Sequence, residues 1–182
     1  MPDPSDRDLA FRARRGEAEA FGELVRRYQA SVFNVCYRVL GERREAEDLA
    51  QEAFLRAYER LATFNAELPF GPWMRRVAAN LCLNRLENVR GAPVSVPLDD
   101  ERDPEAVGSD PAVAREYAER ADAVRAALLS LPVPYRAVIE LRHFQELSYD
   151  QIAASLGIPL SDVKSHLFRA RKMLAEKLKP HD

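Results

Sequence analysis

Between Phe21 and Val39 the residues Phe21, Leu24, Val25, Tyr28, Val32, Val35, Cys36 and Val39 return every three or four positions, and Gly41 follows as a stop. That spacing gathers them on one face of an α-helix, so it predicts a long amphipathic helix over 17–40 that must bury its apolar side. The period recurs over 44–62 through Leu49, Ala50, Ala53, Phe54, Ala57 and Leu61, and over 72–89 through Trp73, Val77, Ala78, Leu81 and Leu86. Between these two helices the stretch TFNAELPFGPW breaks the pattern, because Pro69, Gly71 and Pro72 all oppose helix continuation; Pro72 suits a first helical position. The alternating Val, Ile and Thr of strands is absent, so the expected fold is all-α.

Residues 91–111 read GAPVSVPLDDERDPEAVGSDP, with four prolines, two glycines and six acids. Such a segment cannot bury enough apolar surface to form a packed element, which predicts a flexible acidic linker between two small helical domains, 1–90 and 112–182. Charge follows the same division beneath a formal total of −2. Residues 1–90 hold 15 Lys and Arg against 14 Asp and Glu, residues 91–116 hold 2 against 7, and residues 160–179 hold 6 against 2. A basic cluster on a terminal helix is a possible nucleic-acid footprint, although Lys and Arg more often only solvate a face.

In the C-terminal part, helices are expected from about 111 to 130 and again after Pro134, the second carrying Val138, Ile139 and Leu141. Ser148 with Gln151 fits a capping box, Ile152, Ala153 and Leu156 make an inner face, and Gly157 closes the helix. A turn through Ile158 and Pro159 leads into a further helix from near Leu160, giving a helix-turn-helix. On that last helix Val163, Leu167, Ala170 and Leu174 share one narrow stripe, while Lys164, Ser165, Phe168, Arg169 and Lys172 lie away from it. Outward cations can meet phosphates, and Ser165 and Phe168 can reach base edges or thymine methyls. Dimeric repressors and response-regulator output domains carry similar helix-turn-helix sequences, so this element alone leaves the function open.

Other classes recede on simple grounds. Charged residues interrupt every apolar run before the roughly 18 residues of a membrane span, and the chain opens MPDPSDRD, so a cytoplasmic protein without membrane insertion is expected. Cys36 and Cys82 are far apart in sequence and read as buried small hydrophobes rather than as a disulfide or a metal site. No set of His, Cys or carboxylate residues has active-site or ligand spacing. Neither catalysis, a cofactor nor a metal is therefore expected.

The segments AFGELVRRYQASVFNVCYRVLG, EAEDLAQEAFLRAY, Phe64 followed by PFGPWMRRVAANLCLNRL, and LPVPYRAVIELRHFQELSYDQIAASLGIPLSDVKSHLFRARKML occur in the order found in bacterial sigma factors. The chain resembles the extracytoplasmic-function (ECF) group, which retains regions two and four only. The resemblance implies that Asp48, Gln51, Glu52 and Leu55 dock on core RNA polymerase. It also implies that the stretch from Phe64 to Phe70 captures a base flipped from the minus-ten element, with Phe64, Asn65, Arg75, Arg76, Asn80 and Asn84 contacting that strand. Arg142, Lys164, Ser165, Phe168, Arg169 and Lys172 match positions that read the minus-thirty-five element. Lys164 stands where the family often has arginine, which weakens any bidentate guanine contact there.

On this reading the chain is the promoter-specificity subunit of bacterial RNA polymerase, its partners are core polymerase, promoter DNA and an anti-sigma factor, and phosphodiester chemistry belongs to the polymerase. With a negative total charge and small DNA-reading patches, the free chain is expected to bind promoter DNA poorly. The alternatives are a helix-turn-helix regulator acting without core polymerase, and an adaptor whose helix-turn-helix has lost DNA contact.

Overall fold

A computed structural model describes residues 3–88 and 111–179; the expected linker falls outside the described residues except for Pro111, which opens a helix. The described residues form eight α-helices and no strand. They are α1 (Asp6–Arg14), α2 (Ala18–Leu40), α3 (Arg43–Glu59), α4 (Phe70–Asn88), α5 (Pro111–Leu129), α6 (Val133–Ile139), α7 (Tyr149–Leu156) and α8 (Leu160–Lys177). The all-α expectation holds.

The spine of the N-terminal half is α2, which packs on α1, α3 and α4. Its side chains Leu24, Val32, Val35, Cys36 and Val39 are fully sealed, as the period of three and four requires. Gly41 ends the helix at φ 79, a left-handed conformation costly for a side chain with a Cβ. Helix α4 starts at Phe70, two residues earlier than the prolines suggest. Gly71 and Pro72 fall in the first turn, where backbone N–H groups have no intrahelical acceptor and a proline loses nothing.

Helix α1 was not expected from the periodicity, since Leu9, Ala10 and Ala13 are its buried residues and two of them are alanines. Ser5 caps it by accepting from the Asp8 N–H. From α1, Asp6 accepts hydrogen bonds from the Tyr28 hydroxyl and, at 2.9 Å, from Arg27. Burial and the bond to Asp6 together push the Tyr28 phenol up to about 12, so it stays a donor at every ordinary pH.

In the C-terminal half the capping box forms as expected: Ser148 Oγ accepts from the Gln151 N–H, and Gln151 Oε1 accepts from the Ser148 N–H. Gly157 adopts φ 64 at the bend between α7 and α8. The buried stripe Val163, Leu167 and Ala170 of α8 faces α6 and α7. After α6 the chain makes a π-helical turn over Glu140–Phe144, in which the Gln145 N–H reaches back to the Glu140 carbonyl at 3.0 Å. The two halves touch directly, α2 on α5 and α4 on α6 and the π turn.

One tight approach gives a test of the packing. A Cβ on Gly71 would stand 2.5 Å from Cε1 of Tyr28, whose ring is held by Asp6 on one side and Phe70 on the other. Gly71→Ala is expected to destabilise the protein by about 1–3 kcal/mol, the usual cost of overpacking, in urea unfolding followed by circular dichroism; an unchanged midpoint would show that the ring moves freely.

Candidate functional site

Three surfaces carry the residues singled out in the sequence. The first surrounds the irregular stretch before α4. Phe64 is pinned 4.7 Å from Trp73 and 5.6 Å from Phe70, and Phe70 lies 5.5 Å from Tyr28. This aromatic cluster leaves Asn65, Glu67, Leu68 and Pro69 exposed as a rim. Arg14 of α1 donates to the carbonyls of Ala62 and Phe64, and Arg7 pairs with Glu67 at 2.6 Å, so the unexpected α1 holds the rim from outside. The Glu67 N–H donates to Asn65 Oδ1 at 3.0 Å, a side-chain turn that fixes the loop.

Phe64, grouped in the sequence with strand-contacting residues, is 4% exposed, and its ring supports the loop from within. Asn65 is exposed. On α4, Arg75, Arg76 and Asn80 are half-buried, and Arg76 Nε and Asn80 Oδ1 are enclosed with no protein hydrogen-bond partner among the described residues.

The second surface is a groove of about 580 Å³ between α3 and α4, lined by Glu45, Asp48, Glu52, Arg56, Asn84 and Arg85 with Leu49 and Leu81 at its floor. Arg85 reaches Glu45 at 3.2 Å and Arg56 reaches Glu52 at 2.7 Å, while Asp48 and Gln51 are exposed and Leu55 is 67% exposed. Asn84, expected beside Arg76 and Asn80 on a strand-contacting side, also lines this acid-rich groove. Carboxylates there would repel a phosphate, so the groove suits a cationic protein surface better than a nucleic acid.

The third surface is the outer side of α8. Lys164, Phe168, Arg169 and Lys172 are exposed there and Ser165 is half-buried. Phe168 keeps 69% of its surface in solvent, so no neighbouring helix covers it. An open cleft of about 500 Å³ is lined by Tyr149, Lys164, Phe168, Arg171 and Lys172. Arg142, expected among these readers, donates to the Leu147 carbonyl at 2.9 Å and lies 5.4 Å over the Tyr149 ring. Its guanidinium thus ties the π turn to the start of α7. Arg171 and Tyr149 were missed as lining residues, although Arg171 lies one helical turn past Leu167 and Phe168, where the charge count already pointed.

The two cysteines also differ from the sequence picture in one respect. They are free and buried as expected, but α2 and α4 bring them into contact, and the hydrogen bond to Cys36 together with burial pushes the Cys82 thiol up. Distance along the chain was no guide to distance across a helical seam.

The family model for sigma-70 region 2 matches residues 24–91, and that for sigma-70 region 4 matches residues 121–174. The chain is 32% identical over 180 residues to the ECF RNA polymerase sigma factor SigW of Bacillus subtilis, covering 91% of this chain and 92% of the relative. This protein belongs to the ECF sigma factors. The RNA polymerase sigma-H factor of Pseudomonas aeruginosa is 34% identical over 96% of this sigma factor and 94% of its own length, and the ECF sigma-E factor of Escherichia coli K12 is 33% identical over 97% and 95%. Among solved structures, CnrH in complex with the cytosolic domain of CnrY aligns with a TM-score of 0.60 at 26% identity, covering 95% of this chain and 96% of that one. RpoE of Bartonella quintana, solved with the anti-sigma factor NepR, shares the fold at a TM-score of 0.64 and 20% identity.

His143 of the π turn stands against Arg171 of α8. Arg171 Nε lies 3.4 Å from His143 Nε2, and burial, then Arg171, then Arg142 hold the imidazole below its ordinary value. Because the folded state binds this proton less readily than the unfolded chain, the residue's contribution to stability is complete above about pH 6.5 and declines as pH falls through that value. NMR titration of the His143 ring is expected to give a midpoint below 6.5 that rises in Arg171→Ala; a midpoint at or above 6.5 would contradict the contact.

Proposed function

We propose that this sigma factor acts as the promoter-specificity subunit of RNA polymerase through a division of labour among its three surfaces. The outer face of α3, with Asp48, Gln51, Glu52 and Leu55, docks on core polymerase, and the adjoining groove shared with α4 extends that contact. The rim beginning at Asn65 receives an unstacked base of the minus-ten element. Arg75, Arg76 and Asn80 flank the strand, and Phe64 stiffens the platform. Extruding a base costs a few kcal/mol, and a rim held rigid by the buried aromatic cluster loses little freedom in making the hydrogen bonds that return it.

The outer side of α8 enters the major groove at the minus-thirty-five element. Lys164, Arg169 and Lys172 meet phosphates and base edges, Ser165 adds a short polar contact, and Phe168 meets a thymine methyl. Arg142 acts by fixing the start of α7. The single observation that carries the reading is the similarity over nearly the whole chain to ECF sigma factors, joined to a phenylalanine held in solvent among cations on a helix-turn-helix. Phosphodiester chemistry stays with polymerase, and this chain contributes recognition without catalysis. We place it in the cytoplasm, with an anti-sigma factor as its restraining partner.

A helix-turn-helix regulator independent of polymerase would need only the third surface, and the two are separable. In run-off transcription with core polymerase and a randomised promoter library, Asp48→Lys should lower transcript yield at least tenfold while leaving DNA binding by the C-terminal half unchanged. Lys164→Ala and Arg169→Ala should each reduce the salt dependence of promoter binding by about one phosphate contact. Transcription by Asp48→Lys at the wild-type level would remove α3 from the polymerase contact, and no transcript with wild-type protein from any template would remove the whole reading.

A further inference from the structure

The outer side of α1 repeats a pattern seen on α8, an exposed ring set among cations, and the three surfaces use it only through the two arginines that hold the rim. Phe11 keeps 56% of its surface in solvent. Arg7, Phe11 and Arg14 fall within about 60° of one another around the helix axis, on the side away from the buried Leu9, Ala10 and Ala13. Arg15, at the end of the helix, brings its guanidinium 5.8 Å from the centroid of the Phe11 ring.

A single apolar ring in water is ordinary on a protein surface, but two features set this one apart. The face around it is cationic: Arg7 pairs with Glu67 and Arg12 with Glu17, at 2.6 and 2.8 Å, whereas Arg14 and Arg15 have no acid partner among the described residues. It also adjoins the rim. Arg14 donates to the carbonyls of Ala62 and Phe64 at 3.1 and 3.5 Å, and the Arg7–Glu67 pair holds the same loop further along. A strand leaving the rim toward α1 therefore runs onto the ring and its guanidinium groups. From Arg7 to Arg14 the helix rises about 10 Å, the length of roughly three stacked nucleotides.

The chemistry of this face suits an unpaired strand better than the other polyanions available. Bases without a partner have lost stacking; an aromatic face returns it whatever the base, and cations follow the phosphates. An acidic protein segment would use the cations and leave the ring idle. A duplex would offer phosphates alone, because its bases are stacked inside.

We propose that the outer side of α1 is a single-strand DNA site that continues the rim, with Phe11 stacked on a nucleotide beside the captured one and Arg14 and Arg15 on its phosphates. This rests on the minus-ten reading of the rim given above. The contact tolerates any base, so it holds the melted strand without adding to the choice of sequence.

The test uses holoenzyme assembled from core polymerase and the full chain as wild type, Phe11→Ala, Phe11→Trp and Arg15→Ala, each checked for helical content by circular dichroism and for core binding by titration. The DNA is a promoter selected from the randomised library and pre-melted by mismatches across the minus-ten element. One abasic site is placed at each non-template position in turn, and fluorescence anisotropy reads affinity. In wild type, abasic sites are expected to weaken binding about tenfold at the captured base and again at a neighbouring nucleotide, as loss of a stacked base does. Phe11→Ala should bind the intact template about tenfold more weakly, and the neighbouring abasic site should then cost nothing further, since a base and the ring beneath it form one interaction. A merely structural role would leave that second penalty in place. Phe11→Trp should keep both affinity and penalty, and Arg15→Ala should lower the salt slope by about one phosphate. If every penalty survives in Phe11→Ala, the α1 site is overturned while the rim reading stands. Weaker core binding by Phe11→Ala with all penalties intact makes the face a polymerase contact and overturns the proposal as well. Should Phe11→Ala lose helical content, the wild-type scan and Arg15→Ala decide: a penalty at one position only, with an unchanged salt slope, overturns the site. A wild type indifferent to every abasic site strikes the rim reading and this proposal together.

Discussion

A helix as apolar along one side as α2 cannot stand in water, and the burial of that side organises the rest of the molecule. Leu24, Val32, Val35, Cys36 and Val39 are sealed on one face by α1, α3 and α4, each contributing on the order of 1.5–3 kcal/mol by leaving water. Once α2 is surrounded in this way, the outer face of α3 and the rim before α4 are set at fixed positions relative to one another. The end of α2 then provides the Arg38 guanidinium and the Val39 carbonyl that meet the C-terminal half. A core built for stability thus also sets the geometry of the functional surfaces.

The two halves present surfaces of different physical character. On the α3–α4 groove, carboxylates are partly neutralised by Arg56 and Arg85, leaving exposed Asp48, Gln51 and Leu55 as a mixed polar and apolar patch suited to a protein. On α8 the cleft is lined by Lys164, Arg171 and Lys172, and the exposed Phe168 ring is set among them. Such surfaces are weak alone, and joining them on one chain multiplies their effect only when both can engage together.

Long periodic helices and their punctuation were legible in the sequence: α2, α3, the capping box at Ser148 and the left-handed glycines at Gly41 and Gly157 all follow from local rules. The outer residues of α8 were legible for the same reason, since a wheel separates Val163 and Leu167 from Lys164 and Phe168. Three features were not. Helix α1 hides because two of its three buried residues are alanines, which give a weak apolar signal. Phe64 hides because an aromatic residue at the edge of a loop serves equally as a contact or as a support, and only the positions of Phe70 and Trp73 decide. Arg38 and Glu140 stand about a hundred residues apart, and nothing local to either marks them as partners.

The π turn at Glu140–Phe144 has one more implication, for exchange of parts among related chains. An extra residue in a helical turn shifts every following side chain by about 100° around the axis. Excising a single position there would convert the turn to ordinary α geometry and swivel the helix-turn-helix relative to α6. Chimeras that swap DNA-reading modules should accordingly place their junctions before Val133 or after Ser148, so that the bulge travels whole with one parent.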